Sequence, residues 1–191
     1  MNGSHRPRVA SEGACEHARV PRLHLLRHGK SSWDDDGLDD HDRPLAARGR
    51  RGAELIADHM RAEAIAPDIV LCSSSRRTRE TLDRLGHALP AGTRVEIEAA
   101  LYAASAEELL ARLRILSADV GSALVIGHNP GLRDLALELA APGPALELLR
   151  EKFPTAALAT LELPTGDWGL LGSGDAELVA YVRPRDLGAT R

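Results

Sequence analysis

The chain has 191 residues, enough for one domain with its own hydrophobic core. Hydrophobic residues make up 43% and charged residues 27%, as in ordinary globular proteins, and the net charge of −4 excludes the overall positive field that favours nucleic-acid binding. No stretch approaches the roughly 18 consecutive apolar residues of a membrane-spanning helix. We therefore expect neither a nucleic acid nor a membrane among its partners.

The first 21 residues are polar and lack the apolar centre of a signal peptide. They are predicted to form a disordered tail, residues 1–21, ahead of a domain that spans residues 22–191. Cys15 lies in this tail, so a structural disulfide with Cys72 is not expected, which favours a reducing compartment. The expected location is cytoplasmic.

Strand and helix patterns alternate along the predicted domain. Short apolar runs predict four strands, at Leu23–Leu26, Asp68–Ser74, Val95–Ile97 and Ala123–Gly127. Apolar residues at helical spacing predict three helices, at Leu45–Met60, Arg76–Leu89 and Gly131–Ala141. Ser105 and Glu108 form a capping box, which starts a further helix. Near the end, "ALATLEL" and "AELVAYVR" are separated by a Gly-rich segment and predict a hairpin.

This alternation predicts an α/β fold: a single three-layer domain whose mostly parallel sheet is flanked by helices, with an antiparallel edge hairpin near the C-terminus. Ligands of such folds bind beyond the carboxyl ends of the strands. Arg27 and His28 follow the first strand, and His128 with Asn129 follows the strand Ala123–Gly127. The segment Ser73–Arg77 begins at the end of the second strand and continues beyond it. The three polar clusters are predicted to meet at one rim of the sheet.

The stretch "LLRHGKSSW", Leu25–Trp33, admits a phosphate loop as one interpretation. A P-loop requires G-x-x-x-x-G-K-[ST], but His24 stands where its first glycine belongs. A helix must also begin at once to face the phosphates, whereas here an acidic loop follows that would repel a nucleotide. This interpretation is disfavoured.

A metal site is the second interpretation. It would draw on side chains from several segments: His24, His28, His41, His128 and Cys72. A strand separates His24 from His28 by about 13 Å, and neither H-E-x-x-H nor a C-x-x-C pair is present. The acidic loop 34–42 is interpreted as solvated rather than as a cation site. We expect no metal, and a histidine nucleophile among phosphate-binding cations remains as the third interpretation.

Three segments, "LLRHGKSSW", "SSSRRTRET" and "VIGHNPGL", resemble the signature segments of the histidine phosphatase superfamily, above all its small SixA-type phosphohistidine phosphatase branch. Further segments resemble that branch: "RPLAARGRRGA", "LYAASAEELLARL", "FPTAALATLEL" and "YVRPRDL". The resemblance covers about residues 22–187. It implies a phosphoglycerate mutase-like fold and a phosphatase that needs no cofactor and works through a phosphorylated histidine.

The resemblance also implies roles for particular residues. Arg27 and His28 take the R-H positions, with His28 as the nucleophile, while Arg77 matches the arginine of the second segment and His128 the histidine of G-H-N-P-G. In the second segment Ser74, Thr78 and Glu80 replace the usual proline, alanine and glutamine. Mutase-type relatives often carry a phosphate-binding asparagine at the position of Asp34. The remaining candidates for substrate binding are Gly29 and Ser31.

The residue types suit phosphoryl transfer. A neutral imidazole is a competent nucleophile, and two arginines beside His28 would disfavour its protonated form. Arg27 and Arg77 offer planar forks for bidentate phosphate contacts, and His128 offers a further hydrogen bond. Gly29 lets the backbone approach a phosphate closely.

The leaving group bears on the substrate. An alkoxide leaves poorly without a proton, and a general acid contributes roughly 10²–10⁴-fold. No glutamate occupies an obvious position for this role; the candidates are Glu98 and Asp39, with Asp40 and Asp42 in the same loop. An imidazole nitrogen is far less basic than an alkoxide, which favours phosphohistidine or an aryl phosphate over a sugar phosphate.

The predicted function is therefore a phosphatase for phosphohistidine or a related compound. Its predicted partner is a phosphorylated substrate, with a phosphohistidine-bearing protein as the particular candidate. Two alternatives stay open: a phosphatase for small organic phosphates, and a phosphate-binding regulatory module without turnover.

Overall fold

The structure is a computed structural model that describes residues 20–188. Most of the predicted tail, residues 1–19 with Cys15, lies outside the described residues, as do residues 189–191. Pro21, also assigned to the tail, holds its place at the start of the sheet because its carbonyl accepts a 2.9 Å hydrogen bond from the Leu163 backbone N–H.

Strands and helices alternate as predicted. The strands are β1 (Arg22–Arg27), β2 (Ile69–Ser73), β3 (Arg94–Glu98), β4 (Ser122–Gly127), β5 (Leu158–Glu162) and β6 (Glu177–Val182). The helices are α1 (Ala47–Ala62), α2 (Arg76–Leu85), α3 (Ala106–Arg114), α4 (Gly131–Leu139), α5 (Pro144–Glu151) and α6 (Pro184–Leu187). Short 3-10 turns lie between them, at Asp40–Asp42, Gly86–Ala88, Ala99–Leu101 and Trp168–Leu170.

The six strands form one sheet in the order β3-β2-β4-β1-β5-β6. β3, β2, β4 and β1 are mutually parallel, whereas β5 runs antiparallel to both β1 and β6. The predicted hairpin therefore exists, but of its two strands β6 alone lies at an edge of the sheet, because β5 is hydrogen-bonded to β1 on its other side. The α/β fold with a mostly parallel sheet is confirmed.

Two apolar clusters cover the two faces of this sheet, which makes the domain three-layered. On one face, Leu23 and Leu25 of β1 pack with buried residues of α3, α4 and α5. On the other face, Leu26 packs with residues of α1 and α2, and partly buried Leu187 of α6 joins them. The alternation along β1 follows from the two-residue period of a strand.

Helix boundaries differ from prediction where side chains or glycine intervene. The first helix begins at Ala47 rather than Leu45, because Leu45 pairs with Ser31 in an antiparallel bridge and Ala46 is extended, with a φ of −67° and a ψ of 163°. The Leu45 N–H donates to the Glu80 carboxylate at 2.7 Å. α2 ends at Leu85, where Gly86 leads into a 3-10 turn. The capping box is confirmed: the Glu108 N–H donates to Ser105 Oγ at 3.2 Å, and the Ser105 N–H donates to Glu108 Oε2 at 2.8 Å. α5 and α6 are additional to the predicted helices.

None of the helices within residues 20–188 is long and apolar enough to cross a membrane.

Candidate active site

The predicted rim is a cavity at the carboxyl ends of the parallel strands. Arg27 ends β1, His28 follows it, Arg77 lies in the first turn of α2 just beyond β2, and His128 follows β4. All four line the cavity. The other lining residues come from several loops: Lys30, Ser31, Trp33, Asp40, Tyr102, Ala103, Asn129 and Thr155. Residues more than 100 positions apart in the chain thus share one site, as the strand-end rule leads us to expect.

His28 is held as a neutral imidazole. The residue is 7% exposed, and its Nδ1 lies 2.7 Å from the carbonyl oxygen of Gly29. A carbonyl only accepts hydrogen bonds, so Nδ1 carries the proton and Nε2 keeps its lone pair. Burial lowers the pKa of His28 to about 3, with His128, Arg77 and Arg27 acting in the same direction and the Gly29 bond opposing them. The ring is therefore uncharged at neutral pH.

His128 stands beside His28, with 5.1 Å between the ring centroids. Its Nδ1 lies 3.5 Å from Arg77 Nη2, which can only donate, so Nε2 carries the proton and donates to Ser73 Oγ at 2.8 Å. Burial, followed by the charge of Arg77, lowers the pKa of His128 to about 4. Both imidazoles in the cavity are therefore neutral and hydrogen-bonded in defined orientations.

The two arginines differ in how they are held. Arg27 Nη1 donates to the Phe153 carbonyl at 2.9 Å, while its Nε is buried without a hydrogen-bond partner in the described part of the chain. Arg77, 7% exposed, donates through Nη1 to the Asp40 carbonyl and through Nη2 to Asp40 Oδ2 at 2.8 Å. A planar guanidinium gripped in this bidentate way presents a fixed orientation to a ligand.

Asp40, which binds Arg77, is itself held in place by Tyr102. Its Oδ2 also accepts a 2.7 Å hydrogen bond from the Tyr102 hydroxyl. That bond, and next the contacts with Arg77, lower the pKa of Asp40, so its carboxylate is ionised at neutral pH. In this state Asp40 anchors Arg77 and has no proton to give to a leaving group.

The other predicted site residues are spread more widely. Ser31 lines the cavity, but Gly29 and Asp34 do not; the Asp34 carboxylate accepts from Ser32 Oγ at 2.6 Å on the surface. Gly29 has a packing reason to be glycine, because a Cβ there would lie 2.6 Å from the Gly49 carbonyl oxygen of α1. Its N–H donates to Thr81 Oγ1 at 3.1 Å, which fixes the turn that carries His28.

The structure does not bring Glu98 and Asp39 into the cavity. The Glu98 carboxylate pairs with Arg112, with 2.8 Å between Oε1 and Nη2, and Asp39 lies exposed before the 3-10 turn Asp40–Asp42. Asp42 pairs with His41 at 3.2 Å. Among the described residues that line the cavity, Asp40 carries the single carboxyl group.

Tyr102 was not predicted as a site residue. It follows β3 and its 3-10 turn, so the strand-end rule that selects His28 and His128 also points to it. Its ring packs edge-on against His128, with 5.4 Å between centroids, and its hydroxyl holds Asp40. Tyr102 therefore supports both His128 and, through Asp40, Arg77.

The departures from the family pattern have structural partners. Glu80 accepts from the Leu45 N–H and, at 2.8 Å, from Arg76 Nε, so it joins the loop before α1 to α2. Ser74 Oγ lies 2.9 Å from His41 Nε2. Thr78 Oγ1 donates to the carbonyls of Ser73 or Ser75 at 2.7 Å. These bonds stabilise the loops around Arg77.

Within residues 20–188, no group of three or more His, Cys, Asp or Glu side chains is arranged to hold a metal ion. Cys72 is buried without a disulfide partner among those residues, and burial raises the pKa of its thiol to about 12.

Comparison with known proteins supports the resemblance to the histidine phosphatase superfamily. A profile of the histidine phosphatase superfamily (branch 1) matches residues 23–109. The chain is 38% identical over 164 residues to the uncharacterized protein Rv1276c of Mycobacterium tuberculosis, a match that covers 84% of this chain and 100% of that protein.

Two solved structures extend the match. A candidate phosphohistidine phosphatase SixA from Nakamurella multipartitia superposes with a TM-score of 0.76 at 31% identity, covering 86% of this chain and 96% of that one. The protein histidine phosphatase SixA complexed with tungstate superposes with a TM-score of 0.71 at 26% identity, covering 87% and 99%. The sheet, its rim and these matches define the class: the chain belongs to the histidine phosphatase superfamily. Within that superfamily it belongs to the SixA-type branch, and the membership supports phosphatase activity on a phosphorylated substrate.

The buried histidines make a testable link between pH and stability. His24, 2% exposed in β1, resembles His28 and His128, because burial lowers its pKa to about 4. The unfolded chain protonates these rings below about pH 6.5 whereas the folded chain does not, so stability is full above that pH and declines toward pH 4. At pH 5, roughly 1.5 pH units lower, each ring should reduce the free energy of unfolding by about 2 kcal/mol.

We expect the free energy of unfolding, measured by urea titration, to fall between pH 7 and pH 5. In His24→Asn the fall should be about one third smaller, since an asparagine can keep the bond that His24 Nδ1 makes with Thr160 Oγ1 but does not titrate. An equal fall in both proteins would contradict the assignment of His24.

Proposed function

We propose that this chain hydrolyses phosphohistidine, carried on a protein, through a covalent intermediate on His28. The observation that carries the proposal is the hydrogen bond from His28 Nδ1 to the Gly29 carbonyl, which leaves Nε2 unprotonated inside a cavity lined by Arg27 and Arg77. The tungstate held by the related SixA structure is an oxyanion, which supports a site for a phosphoryl group.

In the first step, the lone pair of His28 Nε2 attacks phosphorus and forms an N–P bond while the bond from phosphorus to the substrate nitrogen breaks. The His28 ring, still protonated at Nδ1, becomes cationic, and the Gly29 carbonyl stabilises that charge through its 2.7 Å bond. Arg27 and Arg77 would bind the equatorial oxygens, where negative charge is spread in the transition state.

In the second step, water attacks the phosphorus of phosphorylated His28. The N–P bond breaks, its electron pair returns to Nε2, and inorganic phosphate leaves with the oxygen of that water while the proton of the water passes to phosphate or solvent. Because burial keeps the pKa of the ring low, His28 is neutral again and ready for another turnover.

Neither Asp40 nor Glu98 is placed to protonate a leaving group in the cavity, which supports a phosphoramidate substrate. Asp40 is ionised and occupied by Arg77 and Tyr102, and Glu98 is paired with Arg112 outside the cavity. When the far nitrogen of the substrate imidazole carries a proton, the ring leaves as neutral imidazole and needs no acid from the protein. An alkoxide would need one, and that absence costs an ester substrate roughly 10²–10⁴-fold.

A competition assay tests the substrate. Wild-type protein is offered a phosphohistidine peptide, p-nitrophenyl phosphate, glucose 6-phosphate and 3-phosphoglycerate, and kcat/KM is measured for each. We expect the phosphohistidine peptide to exceed both metabolite esters by at least tenfold. A tenfold preference for either ester would replace phosphohistidine with a small organic phosphate while retaining His28 as nucleophile.

A further inference from the structure

A second groove opens beside the catalytic cavity. It lies between α1, the segment that precedes β5 and α6, and it shares Lys30 and Thr155 with the cavity. Its lining is basic and apolar: Lys30, Arg48, Gly49, Arg51, Gly52, Leu55, Lys152, Pro154, Thr155, Ala156, Arg183, Pro184 and Arg185. A ligand seated there would extend directly to the site of phosphoryl transfer. We call it the basic groove.

The charge of the basic groove is one-sided. Six of its lining residues are cationic and none of the described lining residues is acidic, in a chain whose net charge is −4. Arg183 and Arg185 face Asp186, at 2.8 and 3.8 Å. The other four, Lys30, Arg48, Arg51 and Lys152, are exposed and form no ion pair with any described residue. Four unneutralised cations on one surface favour an anionic occupant.

Arg48 and Arg51 stand where a helix tolerates cations poorly. They lie in the first two turns of α1, three residues apart and on one face, and the first turn of α1 contains no acidic residue. A cation near a helix N-terminus opposes the helix dipole, an effect that fades beyond the first turn and therefore applies chiefly to Arg48. The placement lowers helix stability and adds to the positive potential of the groove, which fits a binding role better than a structural one.

The floor of the groove distinguishes a protein segment from a small anion. Leu55, Pro154 and Pro184, all partly exposed, supply apolar surface among the cations. A free phosphate gains nothing from apolar surface, whereas a peptide with both acidic and apolar side chains gains from both. We propose that the basic groove docks an acidic, leucine-bearing segment of the protein that carries the phosphohistidine. This proposal rests on the proposed function, whose substrate it describes more closely.

Two phosphohistidine peptides test the docking. In one, glutamate and leucine flank the histidine; in the other, glutamine and serine replace them. The readout is the ratio of kcat/KM for the acidic peptide to kcat/KM for the neutral one, which cancels any general loss of activity. We expect a ratio of at least ten in the wild type at low salt, falling below three in Arg48→Gln/Arg51→Gln. High salt should lower the wild-type ratio too.

The matched control is Arg79→Gln/Arg94→Gln. These two arginines are also exposed and lie outside both the cavity and the groove. Replacing them removes the same charge as Arg48→Gln/Arg51→Gln does. The control should keep the wild-type ratio. A ratio near one in the wild type, or an equal fall in the control, would overturn the docking proposal, the latter because it reports overall charge alone.

A binding measurement separates this proposal from the proposed function. If the wild type hydrolyses neither peptide, the phosphohistidine assignment fails, and the groove is then judged by titration with the unphosphorylated acidic peptide. A Kd that rises tenfold in Arg48→Gln/Arg51→Gln but not in the control supports docking. Equal Kd values in all three proteins, or displacement of the peptide by an equimolar amount of inorganic pyrophosphate, would overturn it.

Discussion

Replacing His28 with alanine is expected to lower kcat for p-nitrophenyl phosphate by roughly 10⁴-fold or more, the scale seen when a covalent nucleophile is removed. The buried, Nδ1-protonated ring supplies the lone pair that attacks phosphorus, whereas the Nδ1 lone pair of His128, the other imidazole lining the cavity, faces Arg77 Nη2 at 3.5 Å. Steady-state hydrolysis measures the loss, and mass spectrometry of wild-type protein quenched during turnover should detect a phosphoryl adduct that the variant lacks.

The control for this substitution is His87→Ala, which removes an exposed histidine far from the cavity. Its activity should stay within twofold of wild type. Hydrolysis by His28→Ala at a rate near that of wild type would remove His28 as the nucleophile. Absence of turnover in the wild type itself, with phosphate still bound, would instead favour the regulatory module.

Replacing Arg77 with lysine is expected to lower kcat/KM by roughly 10²–10³-fold, the cost of losing one preorganised donor to a transition-state oxygen. Lysine keeps the charge, but it cannot hold Asp40 with two nitrogens and still present a planar fork to the phosphoryl group. Because the charge is retained, the loss would report geometry. The measurement is kcat/KM for p-nitrophenyl phosphate, alongside a thermal unfolding curve.

Two neighbouring arginines serve as controls, since "SRRTR" contains three. Arg76 pairs with Glu80 on the surface and Arg79 is exposed, so Arg76→Lys and Arg79→Lys should change kcat/KM less than threefold. If Arg79→Lys were the damaging change and Arg77→Lys were neutral, the family's arginine would belong at position 79.

Local patterns in the sequence are sufficient to predict most of the architecture. Alternating strands and helices predict the three-layer α/β fold, and the rule that sites lie at strand ends places Arg27, His28, Arg77 and His128 together. These predictions succeed because hydrophobic periodicity and strand polarity are properties of short segments. The same rule would have selected Tyr102, which follows β3.

Contacts between distant segments could not be predicted in this way. Whether a carboxyl group can donate a proton depends on the side chain it pairs with. Nothing near Glu98 in the sequence reveals that it pairs with Arg112 of α3. Asp40 likewise accepts hydrogen bonds from Arg77 and Tyr102, which its own sequence neighbours do not predict. Gly29 is glycine because the α1 backbone passes close by.

The basic groove shows the same limit on a larger scale. Its cations come from the loop after β1, from α1, from the end of α5 and from the residues around α6, and no local motif joins them. Local sequence preferences specify the elements and the strand ends that carry the chemistry. Packing brings distant residues within a few ångströms of one another, and at that distance charge and hydrogen bonding assign each side chain its protonation state and its partner.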